Sequence, residues 1–139
     1  MLDEAALARG REALLAGAPI YCDARMAAAG ITSRAPIVPS SPPVEGMTRS
    51  AAAMRAAVTD APPGAVWVVG NAPTALAELV ERPPKAPALI VGLPVGFVGA
   101  AEAKAALTES GLPCVTNVGE RGGSAVAVAA VNALLYFGA

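Results

Sequence analysis

Thr48-Arg49-Ser50 puts a capping hydroxyl, a guanidinium fork and the positive end of a helix at one spot. That combination suits a carboxylate or a phosphate, although it is equally an ordinary cap with a solvated arginine. Gly122-Gly123-Ser124, next to Arg121, offers a second set of backbone N–H groups, or else a tight turn that lets the following helix pack closely. A third stretch, Gly92-Leu-Pro-Val-Gly96-Phe97-Val-Gly99, departs from the G-x-G-x-x-G spacing of dinucleotide sites. Gly96 to Lys104 also lacks the adjacent Gly-Lys-Ser/Thr of a phosphate loop. Its glycines suit turn geometry, while Phe97 adds a flat apolar surface that a turn alone does not need. Asn71 either aims its amide at a ligand or fixes the turn before Pro73.

Proton chemistry has few carriers. The chain contains no histidine, which removes the commonest general acid or base and any Ser-His-Asp set. Asp23 closes an apolar run, a position from which carboxylates project into sites, although its position favours the blander role of capping a helix over residues 24–30. No pair of carboxylates stands out, and no cluster has metal-ligand spacing, so neither a metal nor a cofactor is expected.

The elements that must position these residues follow from punctuation. Asp3 caps a first helix with Leu7, Leu14 and Leu15 facing inward and Gly17 at its end. Residues 18–23 read as a strand and 24–30 as a brief helix. Ser33 to Gly46 is a proline-rich loop around one short strand at Pro36–Val38. Thr48 caps a helix to about Thr59. Three strand–loop–helix units follow, with strands at 65–70, 88–93 and 113–118, and Pro73 in the first turn of one helix. Near-continuous apolar strands alternating with helices predict a small three-layer α/β domain, its mainly parallel sheet flanked by helices, over residues 1–139.

Composition narrows the partners. Hydrophobic residues make up 55% and charged ones 15% of the 139 residues, which predicts a substantial subunit interface. A net charge of −1 with no Lys/Arg cluster argues against nucleic acid. Cys22 and Cys114 lie inside apolar strands and read as buried, reduced thiols of a cytoplasmic protein. Gly122 to Ala139 carries no charge, yet it is short, holds Ser124 and Asn132, and reads as a buried or interfacial helix rather than a membrane span. Residues 1–16 spread acids and arginines along a helix, unlike a signal peptide.

Five stretches in order resemble the precorrin-8X methylmutase family of cobalamin biosynthesis. They are Arg11 to Met26 with Gly30-Ile31, Thr48-Arg-Ser-Ala-Ala-Ala53, Gly70-Asn-Ala-Pro-Thr-Ala-Leu76, Gly92 to Glu102, and Arg121-Gly-Gly-Ser-Ala125. The resemblance implies a dimerising α/β subunit that binds a corrinoid near its interface. It also implies transfer of a methyl group from C11 to C12, giving hydrogenobyrinate or its cobalt-containing counterpart, without an organic cofactor. By position it makes Arg49 the substrate-contacting arginine. It places Thr48, Ser50, Asn71, Thr74, Gly96, Phe97, Gly122, Gly123 and Ser124 in the pocket. The family's proton-donating histidine lies on an N-terminal helical segment that this sequence begins beyond, and the stretch at about 32–47 is short. The catalytic residue is therefore unassigned, with Tyr21, Cys22 and Asp23 as candidates. A corrinoid carrier or regulator, or one half of a split enzyme, are the alternatives.

Overall fold

The computed structural model describes residues 4–31, 35–96 and 98–136. Expectations for Asp3 and Phe97 lie outside the described residues. Four strands, β1 (Ile20–Cys22), β2 (Val66–Val69), β3 (Leu89–Gly92) and β4 (Cys114–Thr116), form one parallel sheet in the order β1-β2-β3-β4. The helices are α1 (Glu4–Leu15), α2 (Arg25–Gly30), α3 (Arg49–Asp60), α4 (Pro73–Glu81), α5 (Ala100–Glu109) and α6 (Ser124–Tyr136). The strands are shorter than expected, because only their middles pair and their ends turn into loops.

Strand order advances without reversal, and right-handed crossovers therefore keep α3, α4 and α5 together on one face. The opposite face falls to α1, α6 and α2. Alternate side chains of each strand feed the two layers. Ile20, Cys22, Val66, Val68, Leu89 and Val91 pack toward α1 and α6. Tyr21, Trp67, Val69 and Ile90 pack toward α3, α4 and α5 with Met54, Leu76, Leu79 and Leu107. Each large side chain removed from water contributes about 1.5–3 kcal/mol, and Trp67 also stacks on Tyr21 with ring centroids 4.5 Å apart.

Ile37 extends the sheet edge. It bridges in parallel to Tyr21, donates its N–H to Ile20 O at 2.7 Å and accepts from Cys22 N at 2.8 Å. The short strand expected at Pro36–Val38 is thus a single bridged residue, limited by prolines on either side that cannot donate to a ladder.

Two burial expectations are corrected. Leu15 is 58% exposed, because α1 meets the sheet through Ala6, Gly10 and Leu14, and Leu15 lies outside that i, i+4 stripe. Gly10 sets this orientation: a Cβ there would lie 2.7 Å from the Leu89 side chain. Cys114 is only half-buried, because it begins the edge strand β4, whereas Cys22 is fully buried.

Candidate functional site

The carboxyl ends of all four strands and the N-termini of α3, α4, α5 and α6 converge on one edge of the sheet. Open α/β sheets present ligands there, ordinarily at a reversal of strand order. This sheet has no such reversal, so the edge is shaped by its loops instead.

Asp23 organises that edge. Its Oδ1 accepts the Gly70 N–H at 2.9 Å, and its Oδ2 accepts the Asn71 and Ala72 N–H groups at 3.0 and 2.7 Å. The carboxylate thereby joins the end of β1 to the loop entering α4. It does not cap α2, whose N-cap is Ala24 with no side-chain bond. The turn before Pro73 is held by this carboxylate acting on the backbone N–H of Asn71. The other two proton-donor candidates are also enclosed. Tyr21 is 9% exposed against Trp67. Burial, and secondarily the adjacent Asp23 carboxylate, push the Cys22 thiol from 9.0 up to about 12.

That shift has a measurable consequence. Below pH 9 folded and unfolded chains both keep the thiol proton, and its contribution to stability is fully present. As pH climbs from 9.0 toward 12 the unfolded chain ionises first, so stability falls by up to about 1.4 kcal/mol per pH unit. Cys22→Ala should remove this alkaline component, seen as a shallower loss of stability in urea titrations between about pH 8 and 11. Equal slopes for variant and wild type would contradict it.

Arg49, Ser50 and Asp23 line one cavity of about 590 Å³, together with Ala24, Arg25, Val38, Pro39, Ser40, Ser41 and Ala53. Thr48 lies next to it in a smaller cavity of about 170 Å³ that shares Ser41 and Arg49. The Thr48 hydroxyl accepts the Ala51 N–H at 3.1 Å as the α3 cap and lies 2.6 Å from the Thr74 hydroxyl, which couples the N-termini of α3 and α4. Thr74 itself opens onto an apolar groove between α4 and α5, not onto the 590 Å³ cavity.

Gly96, Gly122, Gly123 and Ser124 belong to a second assembly along the same edge. The Gly123 N–H donates to Leu93 O at 2.8 Å and the Gly96 N–H to Glu120 O at 3.1 Å. The Gly123 N–H, one of the groups that could have been open, is thus committed to a loop-to-loop bond, as the tight-turn alternative has it. Gly122 is pressed against the Leu93 and Pro94 carbonyls, leaving a Cβ only 2.6 Å from Pro94 O. Ser124 starts α6 directly over the end of β2, where a Cβ on Gly70 would lie 2.8 Å from the Ser124 Cα. Gly70 therefore links the assemblies: its N–H is held by Asp23, and its missing side chain admits α6.

Lys104 escaped sequence reasoning. It is 1% exposed, and its ammonium donates to Gly119 O at 3.1 Å and to Arg121 O. Asn117 Nδ2 donates to the same Arg121 carbonyl at 3.1 Å. Burial holds the Lys104 ammonium below its ordinary 10.5. The signal was present in the spacing: Ala100, Ala103, Lys104 and Leu107 form the i, i+3, i+4, i+7 buried stripe of α5. Arg25, Ser40 and Ser41 were also missed as cavity residues, because only the tertiary fold lays residues 38–41 against α2 and α3.

Among the described residues no group of three or more His, Cys, Asp or Glu side chains is arranged to hold a metal ion. No helix among them is long and apolar enough to cross a membrane. Fold and site together define a parallel α/β protein whose carboxyl edge holds a cavity lined by Arg25, Arg49, Asp23 and three serines.

Comparison with known proteins makes that class specific. The family model for precorrin-8X methylmutase matches residues 1–137. A precorrin-8X methylmutase of Pseudomonas aeruginosa is 51% identical over 91% of this chain and 69% of that protein. A cobalt-precorrin-8 methylmutase of Salmonella typhimurium is 44% identical over 84% of this chain, which spans 62% of that relative's length. The crystal structure of precorrin-8X methylmutase from Thermus thermophilus superposes with a TM-score of 0.85 at 40% identity, covering 96% of this chain and 73% of that one. The chain belongs to the precorrin-8X methylmutase family.

Proposed function

We propose that the chain binds a carboxylate-rich corrinoid across the carboxyl edge of its sheet and moves a ring methyl group from C11 to C12, yielding hydrogenobyrinate or its cobalt-containing counterpart. The observation that carries this reading is the cavity joining Arg49, Ser50 and the α3 N-terminus, set in a chain that matches the methylmutase family over residues 1–137. An isomerisation of this kind loses no atoms. What it needs from protein is one fixed ring conformation and polar contacts to the periphery while electron density moves within the macrocycle. A guanidinium and a helix N-terminus supply charge-assisted contacts to peripheral carboxylates. Exposed Val95, Val98 and Val118 supply an apolar rim on the neighbouring loops. The match and the continuous sheet support reading residues 1–139 as one domain. The exposed apolar side chains Leu15, Met26 and Val126 support a homodimer or higher oligomer, and we place the protein in the cytoplasm.

A second reading is favoured by one observation. Cys22 and Tyr21 are enclosed, and the Asp23 carboxylate is committed to three backbone N–H groups. A site with this furnishing binds a corrinoid without protonating it, as a carrier or as the binding half of a two-part enzyme.

Mixing the protein with precorrin-8X and, separately, with hydrogenobyrinate while following the visible spectrum decides between them. Conversion of precorrin-8X establishes the methylmutase. Binding of both without conversion establishes the carrier or half-enzyme, and absence of binding removes both readings. Arg49→Ala should weaken hydrogenobyrinate binding by about 1–3 kcal/mol, as loss of a charge-assisted contact does. Unchanged affinity in a spectroscopic titration would exclude Arg49 from the site.

A further inference from the structure

Arg25 begins α2 just past Asp23, Arg49 begins α3, and both side chains line the 590 Å³ cavity. Neither has an acidic partner among the described residues, where the ion pairs join Arg55 and Arg82 to Glu78, and Arg82 to Glu81. The acid on the cavity wall, Asp23, has its two oxygens on the Gly70, Asn71 and Ala72 N–H groups. Two exposed guanidinium groups thus share one cavity with a single carboxylate, leaving one positive charge over for an anion to neutralise.

The rest of the lining is suited to that anion. Ser40, Ser41 and Ser50 bring hydroxyls to the same wall, and Val38, Pro39, Ala24 and Ala53 provide its apolar part. The wall is anchored, since Ile37 is bonded on both sides to β1 at 2.7 and 2.8 Å. Pro39, Pro42 and Pro43 then restrict the chain that carries Ser40 and Ser41, so little ordering remains to be done on binding.

We infer that this cavity is a two-armed carboxylate clamp in which Arg25 and Arg49 each take one carboxylate of the same ligand. The Ser40 and Ser50 hydroxyls donate to the remaining oxygen lone pairs, while the Ser41 hydroxyl donates to Pro42 O at 3.0 Å. Identification of the ligand rests on the corrinoid reading: the carboxylates are two peripheral side chains of the macrocycle. Arg25 then fixes which sector of the ring periphery faces α2. A small dicarboxylate or inorganic phosphate shares the chemistry, and the test separates these sources.

Hydrogenobyrinate is titrated into wild type, Arg25→Gln, Arg49→Gln and the double variant, with thermal midpoints confirming that all four fold. A corrinoid whose peripheral carboxylates are all amidated serves as the matched ligand. Each single substitution should weaken hydrogenobyrinate about tenfold or more. The amidated corrinoid should bind wild type weakly and be indifferent to both substitutions. Wild-type affinity in Arg25→Gln, or an equal loss for the amidated ligand, overturns the clamp.

Succinate and phosphate are then tested as competitors against potassium chloride of equal ionic strength. Displacement by phosphate but not succinate, abolished by Arg25→Gln, overturns the carboxylate assignment in favour of a phosphate site. If wild type binds no hydrogenobyrinate, the corrinoid reading fails separately from the clamp. Calorimetry with succinate then tests the clamp alone: heat lost in both single variants supports it, and absence of heat in wild type overturns it.

Discussion

Asp23→Ala is expected to lower the stability of the fold by about 3–5 kcal/mol and to abolish ligand binding at the sheet edge. The carboxylate receives three backbone N–H groups at 2.7–3.0 Å from residues 47 to 49 positions away in sequence. Hydrogen bonds to a charged acceptor contribute about 1.5–3 kcal/mol each, and a donor left buried and unpaired forfeits a similar amount. Two of these donors, on Gly70 and Ala72, are part-buried, so water replaces the carboxylate only incompletely. The loop entering α4 then loses its tie to β1, and with it the placement of Thr74 against Thr48. Asp23→Asn should recover little, because the amide turns an NH₂ donor toward N–H groups that need an acceptor. Urea unfolding checks this through a lower midpoint at unchanged slope. A loss below about 1 kcal/mol would mean that the three N–H groups are satisfied without the carboxylate.

Gly122→Ala should be comparably severe, at about 3–5 kcal/mol, for a steric reason. The new Cβ would sit 2.6 Å from Pro94 O and against Leu93 O, both main-chain atoms that cannot rotate away. The loop from β4 to α6 must lift off the loop from β3 to α5. That breaks the Gly123–Leu93 and Gly96–Glu120 bonds and strips the Lys104 ammonium of the carbonyls it holds. A buried ammonium without acceptors costs several kcal/mol on its own. Gly111→Ala is the internal control, since its φ is +79° but a Cβ there meets nothing within 4 Å. Its loss should stay near 1 kcal/mol, the cost of a left-handed alanine. Equal losses at the two positions would remove the packing argument, because Gly122, unlike Gly111, does not have a positive φ to account for its share.

Both predictions concern contacts between segments far apart in the chain, and this separates what was legible from what was not. Thr48 as a helix cap and Pro73 at the start of α4 follow from local stereochemistry. The alternation of apolar strands and helices follows from periodicity, and it yields a parallel sheet covered on both faces. Thr48, Arg49 and Ser50 are neighbours at one helix start, so their concentration at a single spot was readable. The assignment of Asp23 was not: whether a carboxylate at a strand end caps the next helix or reaches a distant loop depends on which N–H groups the fold brings within 3 Å. The Gly122-Gly123-Ser124 turn shows the same limit, because the Gly123 N–H looks open until the β3–α5 loop is laid beside it.

The sequence by itself determined the layers, the capped helix that carries Arg49 and the family to which the chain belongs. These depend on side-chain periodicity, capping and short motifs, whose physics acts within a few residues. Only the tertiary structure decided that Asp23 is an organiser of loops, that Lys104 is buried beneath carbonyls, and that Arg25 and Arg49 share a cavity. Those outcomes depend on which charges end up near which distant backbone groups, and close packing sets that only when the sheet and both helical layers are in place.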